Sequence, residues 1–157
     1  MADLTIARAI HILSIAIWMG GVAFVTMVLI SVIRNPSFKT EQLLIFNAVE
    51  NRFASIARIV VILAGLSGFY MTYKLNAWGR FLEAQYFWMH SMVLVWLMFV
   101  IALFVIEPFF IRNHGRMVKD GHNIKDLKKT QLVHIVILVL SLSTIFISVL
   151  GAHGFFY

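Results

Sequence analysis

The chain has 157 residues, 61% of them hydrophobic and 13% charged, with a mean hydropathy of +0.90. A soluble domain is about half apolar and about a quarter charged, so this composition excludes an ordinary soluble fold and points to an integral membrane protein. The absence of cysteine excludes disulfides, thiolate metal sites and cysteine redox chemistry. The net charge of +6 is concentrated in two loops, the pattern of membrane orientation and not of nucleic-acid binding.

Charge-free runs mark four spans. They cover 25 residues from Ala9 to Ile33, 15 from Ile59 to Tyr73, 23 from Ala84 to Ile106 and 28 from Thr130 to Tyr157. The second is short alone but extends back through "RFASIAR" and forward to Asn76. Crossing the hydrocarbon core takes about 20 apolar residues. Lipid leaves no partner for open backbone groups, which favours helices. The runs are continuous, not alternating, which argues against a barrel. The expectation is one all-α domain over 1–157, an integral membrane four-helix bundle of up-down-up-down topology. Its helices lie near 5–33, 53–76, 84–112 and 129–155. The first run reads as a span and not as a cleaved leader.

Between the first two spans, "TEQLLIFNAVENRF" places Leu43, Leu44, Phe46 and Val49 in a pattern that suggests a short interfacial helix in a loop of about 18 residues. Pro108 bends or ends the third helix, and "KDGHNIKD" is a polar turn. One set of loops holds nine basic residues: Arg34, Lys39, Arg52, Arg112, Arg116, Lys119, Lys125, Lys128 and Lys129. The opposite side holds only Arg8, Lys74 and Arg80. The positive-inside rule makes the nine-residue side cytoplasmic, with both termini on the outer, periplasmic side of a bacterial inner membrane.

Six histidines carry the functional question. His114 and His122 read as solvated loop residues. His11 and His90 each follow the start of an inward-running span by about six residues, roughly 9–10 Å of rise. In an up-down-up-down bundle these two helices are diagonal neighbours, so the imidazoles are expected to face each other across the core, near the outer surface. That geometry suits two axial ligands of one haem iron. His153 lies near the outer end of the last span and is a further candidate ligand. His134 lies near the inner surface, in one layer with Arg58 and Glu107. Ionisable groups in membranes normally face the interior and pair, so Arg58 and Glu107 are expected to pair, with His134 beside them.

Ser14, Trp18 and Gly21 share the His11 side of the first helix, and Gly65, Gly68, Thr72, Ser141, Ser148 and Gly151 are small residues of the second and fourth. They permit close helix approach or leave room for a flat macrocycle. Tyr70, Tyr73, Trp78, Tyr86, Phe87, Trp88, Phe155, Phe156 and Tyr157 read as an interfacial aromatic belt. Met89 and Met92 flank His90, and thioether with imidazole suits copper(I), although Met is commonly a packing residue.

At "AIHILSIAIWMGG", "ENRFASIARIVVILAGLSGFYM" and "YFWMHSMVLVWL" the chain resembles the CopD/HemJ group of small bacterial four-helix membrane proteins, over roughly residues 5 to 105. HemJ proteins bind haem b and oxidise protoporphyrinogen IX, and CopD proteins are associated with copper uptake or resistance. The resemblance implies His11 and His90 as haem-linked histidines and Arg52 as the matching arginine. Two features depart from HemJ: Met92 stands where HemJ has lysine, and "KKTQLVHI" replaces the N-E-x-P stretch entering the last helix. The expected function is electron transfer by a b-type haem held between His11 and His90, with Trp18 in the wall of the site. Arg8 or Arg80 would sit on the propionates, and a quinol or a porphyrinogen would be the donor. Alternatives are a porphyrinogen oxidase, a copper-handling protein using His11, His90, His153 and Met92, and a cofactor-free structural subunit. Expected partners are membrane lipid, further copies of the chain or a larger membrane complex, and not nucleic acid.

Overall fold

The computed structural model describes residues 2–30, 40–108 and 124–156, with side chains described over 2–30, 48–108 and 131–156. Helix α1 covers Ala2–Phe24 and runs straight into a π-helical turn, Val25–Leu29. Helix α2 covers Thr40–Lys74. Two 3-10 turns, Ala77–Leu82 and Ala84–Tyr86, lead into α3, Phe87–Ile101, which continues through a second π-helical turn, Ala102–Ile106. Helix α4 covers Ile124–Ala152. Each of the four contains a stretch long and apolar enough to cross a membrane: Ala2–Leu29, Ala48–Lys74, Ala84–Ile106 and Gln131–Ala152.

One element differs from the sequence reading. "TEQLLIFNAVENRF" is not a separate interfacial helix in an 18-residue loop: it is the first part of α2, which is 35 residues long without interruption. At about 1.5 Å per residue such a helix is roughly 50 Å long, against about 30 Å of hydrocarbon. The stretch of it that is long and apolar enough to span is Ala48–Lys74, so its first eight residues lie outside that stretch. No Gly or Pro lies between Ser37 and Ala64 to break it.

The helix ends are built locally. Asn76 follows α2 in the left-handed region at φ 49°, and Leu75 N–H donates to the Met71 carbonyl. Asn tolerates that conformation better than other side chains. Gly154 follows α4 at φ 80°, where Phe155 N–H donates to Leu150 and Gly154 N–H to Gly151. This six-to-one and five-to-two pair is the Schellman closure, which needs a residue without Cβ cost.

Packing follows a spacing of three, four or seven residues on α1 and α2. Ala7, Ser14, Trp18, Val22 and Val25 are buried on α1, and Ala54, Ala57, Val61 and Ala64 on α2. The opposing α2 stripe is almost all alanine, so the two backbones approach closely, which lipid-embedded helices need in the absence of a hydrophobic driving force. Contacts pair Asp3 with Lys74, His11 with Ala64 and Gly21 with Phe53, so α1 and α2 run antiparallel. Trp96 meets Val61 and Gly65, and Arg58 meets Leu103, so α2 and α3 do the same. Trp88 sits on Gly151 of α4. Across the centre, the rings of Trp18 and Phe99 meet edge to face with centroids 4.6 Å apart.

Of the two uses expected of the small residues, these glycines serve packing: aromatic rings lie on them, Phe53 at Gly21, Trp96 at Gly65 and Trp88 at Gly151. A Cβ on Gly65 would stand 2.5 Å from the Trp96 indole, whereas one on Gly20 meets nothing within 4 Å. Gly65→Leu is therefore expected to lose about 1–3 kcal/mol of stability through overpacking. Gly20→Ala gains up to about 1 kcal/mol from helix propensity. Thermal unfolding in detergent, with Trp fluorescence as the probe, measures both.

Candidate functional site

His11 projects from the packed face of α1 into α2. Its Nδ1 is 2.8 Å from the Ala64 carbonyl oxygen and 3.1 Å from Ser67 Oγ. A carbonyl only accepts, so Nδ1 carries the proton and donates it. The Ser67 hydroxyl donates to the Leu63 carbonyl at 2.6 Å, leaving its lone pairs toward the imidazole. Gly68 gives the ring its seat, since a Cβ there would lie 3.2 Å from His11 Cε1. With the proton fixed on Nδ1, Nε2 presents a lone pair. This backbone-anchored tautomer is the one that orients metal-binding imidazoles.

His90 stands elsewhere. It is exposed on α3, in one stripe with the exposed Phe87, Leu94, Leu97 and Ile101. Its ring meets Phe81 edge to face at 5.3 Å between centroids. The core-facing residue Phe99 is nine residues further on, about 180° round the helix at about 100° per residue. The side chains of α3 buried toward the bundle are Trp88, Met89 and Phe99. The face-to-face His11–His90 pair expected from depth is therefore not what this helix rotation presents.

The other expected site residues separate in the same way. Trp18 is buried, and among the described residues its indole Nε1 has no hydrogen-bond partner, nor do Trp88 Nε1 and Ser148 Oγ. Arg8 is exposed, and Arg80 lies over the Tyr86 ring at 5.2 Å. His153 is exposed at the end of α4, its Nδ1–H donating to the Val149 carbonyl at 2.8 Å. Met92 is half-buried. Arg52 is exposed on α2. His114 and His122 lie outside the described residues.

Near the other end of the molecule, Arg58 Nη2 is 2.9 Å from Glu107 Oε1, with the two side chains 30% and 24% exposed. Arg58 Nε donates to the Leu103 carbonyl at 3.2 Å, inside the π turn of α3. His134 is half-buried on α4, and Glu50 of α2 lies within electrostatic reach of both His134 and Glu107. Glu50 escaped the sequence reading because it was assigned to a loop. On a continuous α2 it falls two turns before Arg58 and joins the same layer. Among the described residues no cluster of three or more His, Asp or Glu is arranged for a metal ion; what this layer shows is the Arg58–Glu107 ion pair.

Comparison with family models, with curated proteins and with solved structures finds no match for this chain.

Removing one partner of a half-buried ion pair strands the other charge, while removing both relieves it. Glu107→Gln and Arg58→Gln are each expected to destabilise the protein by about 1–3 kcal/mol. The double variant is expected to fall short of their sum by about 1 kcal/mol or more. A double-mutant cycle on thermal unfolding checks this, with Glu50→Gln as a third arm that couples more weakly.

Proposed function

We propose that this is a multi-pass protein of the bacterial cytoplasmic membrane that holds one b-type haem in its outer half. His11 would hold that group, which would supply a one-electron couple between a membrane donor, such as a quinol or a porphyrinogen, and an acceptor on the outer side. The observation that carries the reading is the His11 imidazole, anchored through Nδ1–H on the Ala64 carbonyl with its Nε2 lone pair left to bind. The resemblance to the CopD/HemJ group supports the same residue. The antiparallel contacts of α1 with α2 and of α2 with α3 support an up-down-up-down bundle, and the nine basic loop residues support termini on the outer side.

His11 fits one axial position of such a group. His90 does not fit the opposing one across the core, since it shares the exposed stripe of α3, and no step is drawn through a His11–His90 pair. When bound, the haem supplies a one-electron couple whose potential is set by its axial ligands and by the polarity around it. The chain's own part is to hold the ligand tautomer and to keep the surrounding helices close-packed. Arg80 and Arg8, toward the outer end, are the cations available to propionates. A second reading, copper(I) handling, is favoured by the buried thioether of Met89 and the half-buried one of Met92 on α3.

Purified protein is expected to carry about one haem per chain with a b-type pyridine haemochrome, and His11→Ala to lose it while circular dichroism keeps its helical signature. Stoichiometric copper without haem would select the second reading. Neither haem nor copper would sink both. The orientation has its own test, because a chain without cysteine accepts single-cysteine labelling cleanly. Leu82, 92% exposed between α2 and α3, is expected to be labelled as Leu82→Cys by an impermeant maleimide from outside intact cells. Lys119→Cys is expected to react only after lysis.

A further inference from the structure

Helix α3 meets its three neighbours on one side. Trp88 lies on Gly151 of α4, Trp96 donates to the Val61 carbonyl of α2, and Phe99 meets Trp18 of α1. At about 100° per residue, these three positions fall within an arc of about 80°. Phe87, His90, Leu94, Leu97 and Ile101 fall within a second arc of about 80° on the far side, and all five are exposed. Helix α3 is also the least covered span. Of its most apolar stretch 11% is buried, against 22% in α4, 33% in α1 and 39% in α2.

An apolar stripe is satisfied by lipid, but His90 is not. A neutral imidazole carries one N–H donor and one unprotonated nitrogen. The ring meets Phe81 edge to face, and among the described residues neither nitrogen has a hydrogen-bond partner. The exposed residues of α1 from Ala9 to Val28 and of α2 from Ile56 to Phe69 are all apolar. On α4, from Leu132 to Ala152, the polar exception is Ser143, whose hydroxyl can return to its own helix. His90 is thus the one ionisable side chain on these lipid-facing stretches, and such groups in membranes bond across helices.

The surface that fits this stripe is the same stripe on a second copy. Imidazole is self-complementary, since the N–H of one donates to the free nitrogen of another. Copies inserted in one orientation pair α3 with α3 in parallel, and a two-fold axis along the membrane normal sets each seam residue opposite itself at one height. Positions 87, 90, 94, 97 and 101 step by three and four, the spacing that lets two parallel helices interlock along a continuous seam. Four of the five are large apolar side chains, and a single polar group within such a seam specifies its register.

We propose that the protein is a symmetric homodimer joined along the Phe87–Ile101 face of α3, with the two His90 imidazoles hydrogen-bonded to each other. Nothing in this pairing requires the haem, so the two readings fail separately.

A chain without cysteine allows the face to be tested position by position. Leu94→Cys on α3, Leu140→Cys on α4 and Leu13→Cys on α1 each put a thiol on a lipid-facing surface, at sites 66%, 51% and 62% exposed. A disulfide needs Cα atoms about 4.4–6.8 Å apart, which a close symmetric contact supplies. Oxidation of the full-length protein in native membranes is expected to convert Leu94→Cys to a product of dimer mass and to leave the other two monomeric. This is a gain of signal that a misfolded variant does not give at one position only. The dissociation constant is then read in detergent by energy transfer between dye-labelled copies. His90→Leu is expected to raise it about 3- to 20-fold, the range of a hydrogen bond between membrane helices. His90→Asn, which keeps a donor and an acceptor, is expected to stay near the wild-type value. Equal cross-linking at all three sites, a Leu94→Cys product only with a chain of another mass, no product at all, or a His90→Leu dimer as tight as the wild type would each overturn the assignment.

Discussion

Every polar group that a membrane helix carries inward must find its partner inside the protein, because lipid offers none. Main-chain carbonyls of α2 and α3 do most of this service. Ala64 accepts from His11, Val61 from Trp96 at 2.9 Å, and Leu103 from Arg58. A carbonyl has two lone pairs, so each can serve its helix ladder and a side chain together. These side-chain-to-carbonyl bonds tie α1 to α2 and α2 to α3 at set heights, and thereby fix the rotation of α1 and α3. The facing of His11, and the turning away of His90, follow from that rotation.

The π turns belong to the same account. Both occur late in their helices, at Val25–Leu29 and Ala102–Ile106. In α1, Thr26 is buried and returns its hydroxyl to the Val22 carbonyl at 2.6 Å. In α3, the widened turn receives Arg58 from α2, and Glu107 just beyond it neutralises the charge. A guanidinium has five donors in a fixed fork, so Arg58 can hold a carbonyl and a carboxylate at once where a lysine would hold them less well. The irregular stretch of α3 is thus braced by a side chain from its neighbour.

Four spans and the charge asymmetry were legible in the sequence because each depends on run length and on where Lys and Arg fall. The face of His90 was not. "FWMHSMVLVWLMFVI" is apolar all round, so no hydrophobic stripe marks which side looks inward, and lipid accepts the same side chains as the core. Helix α1 was easier, because Ser14, Trp18 and Gly21 repeat on the His11 side. The glycines were read as permitting close helix approach or as room for a macrocycle, yet which aromatic fills a glycine depends on a register between helices that no single helix encodes. The extent of α2 was missed because the polar residues Glu50, Asn51 and Arg52 were taken as a loop, when they only mark the point at which one helix leaves the apolar layer.

The two polar layers of the bundle differ in what they leave open. In the layer with the basic residues, Arg58 pairs with Glu107 and donates to the Leu103 carbonyl, with Glu50 and His134 nearby, and the arrangement suits bracing. The layer around His11 is uncharged, and its valences are incomplete. His11 keeps an unprotonated nitrogen. Thr26, Ser55, Ser67, Thr72, Ser91 and Ser141 return their hydroxyls to the carbonyl four residues back, but buried Ser148 does not. The Trp88 indole N–H against Gly151, one turn from Ser148, is likewise unspent. An unmade hydrogen bond in a buried site costs on the order of 1–3 kcal/mol. Among the described residues the buried polar atoms without a hydrogen-bond partner are Trp18 Nε1 in the centre and Trp88 Nε1 and Ser148 Oγ toward the end where α1 and α3 begin, so the cost falls away from the Arg58–Glu107 pair.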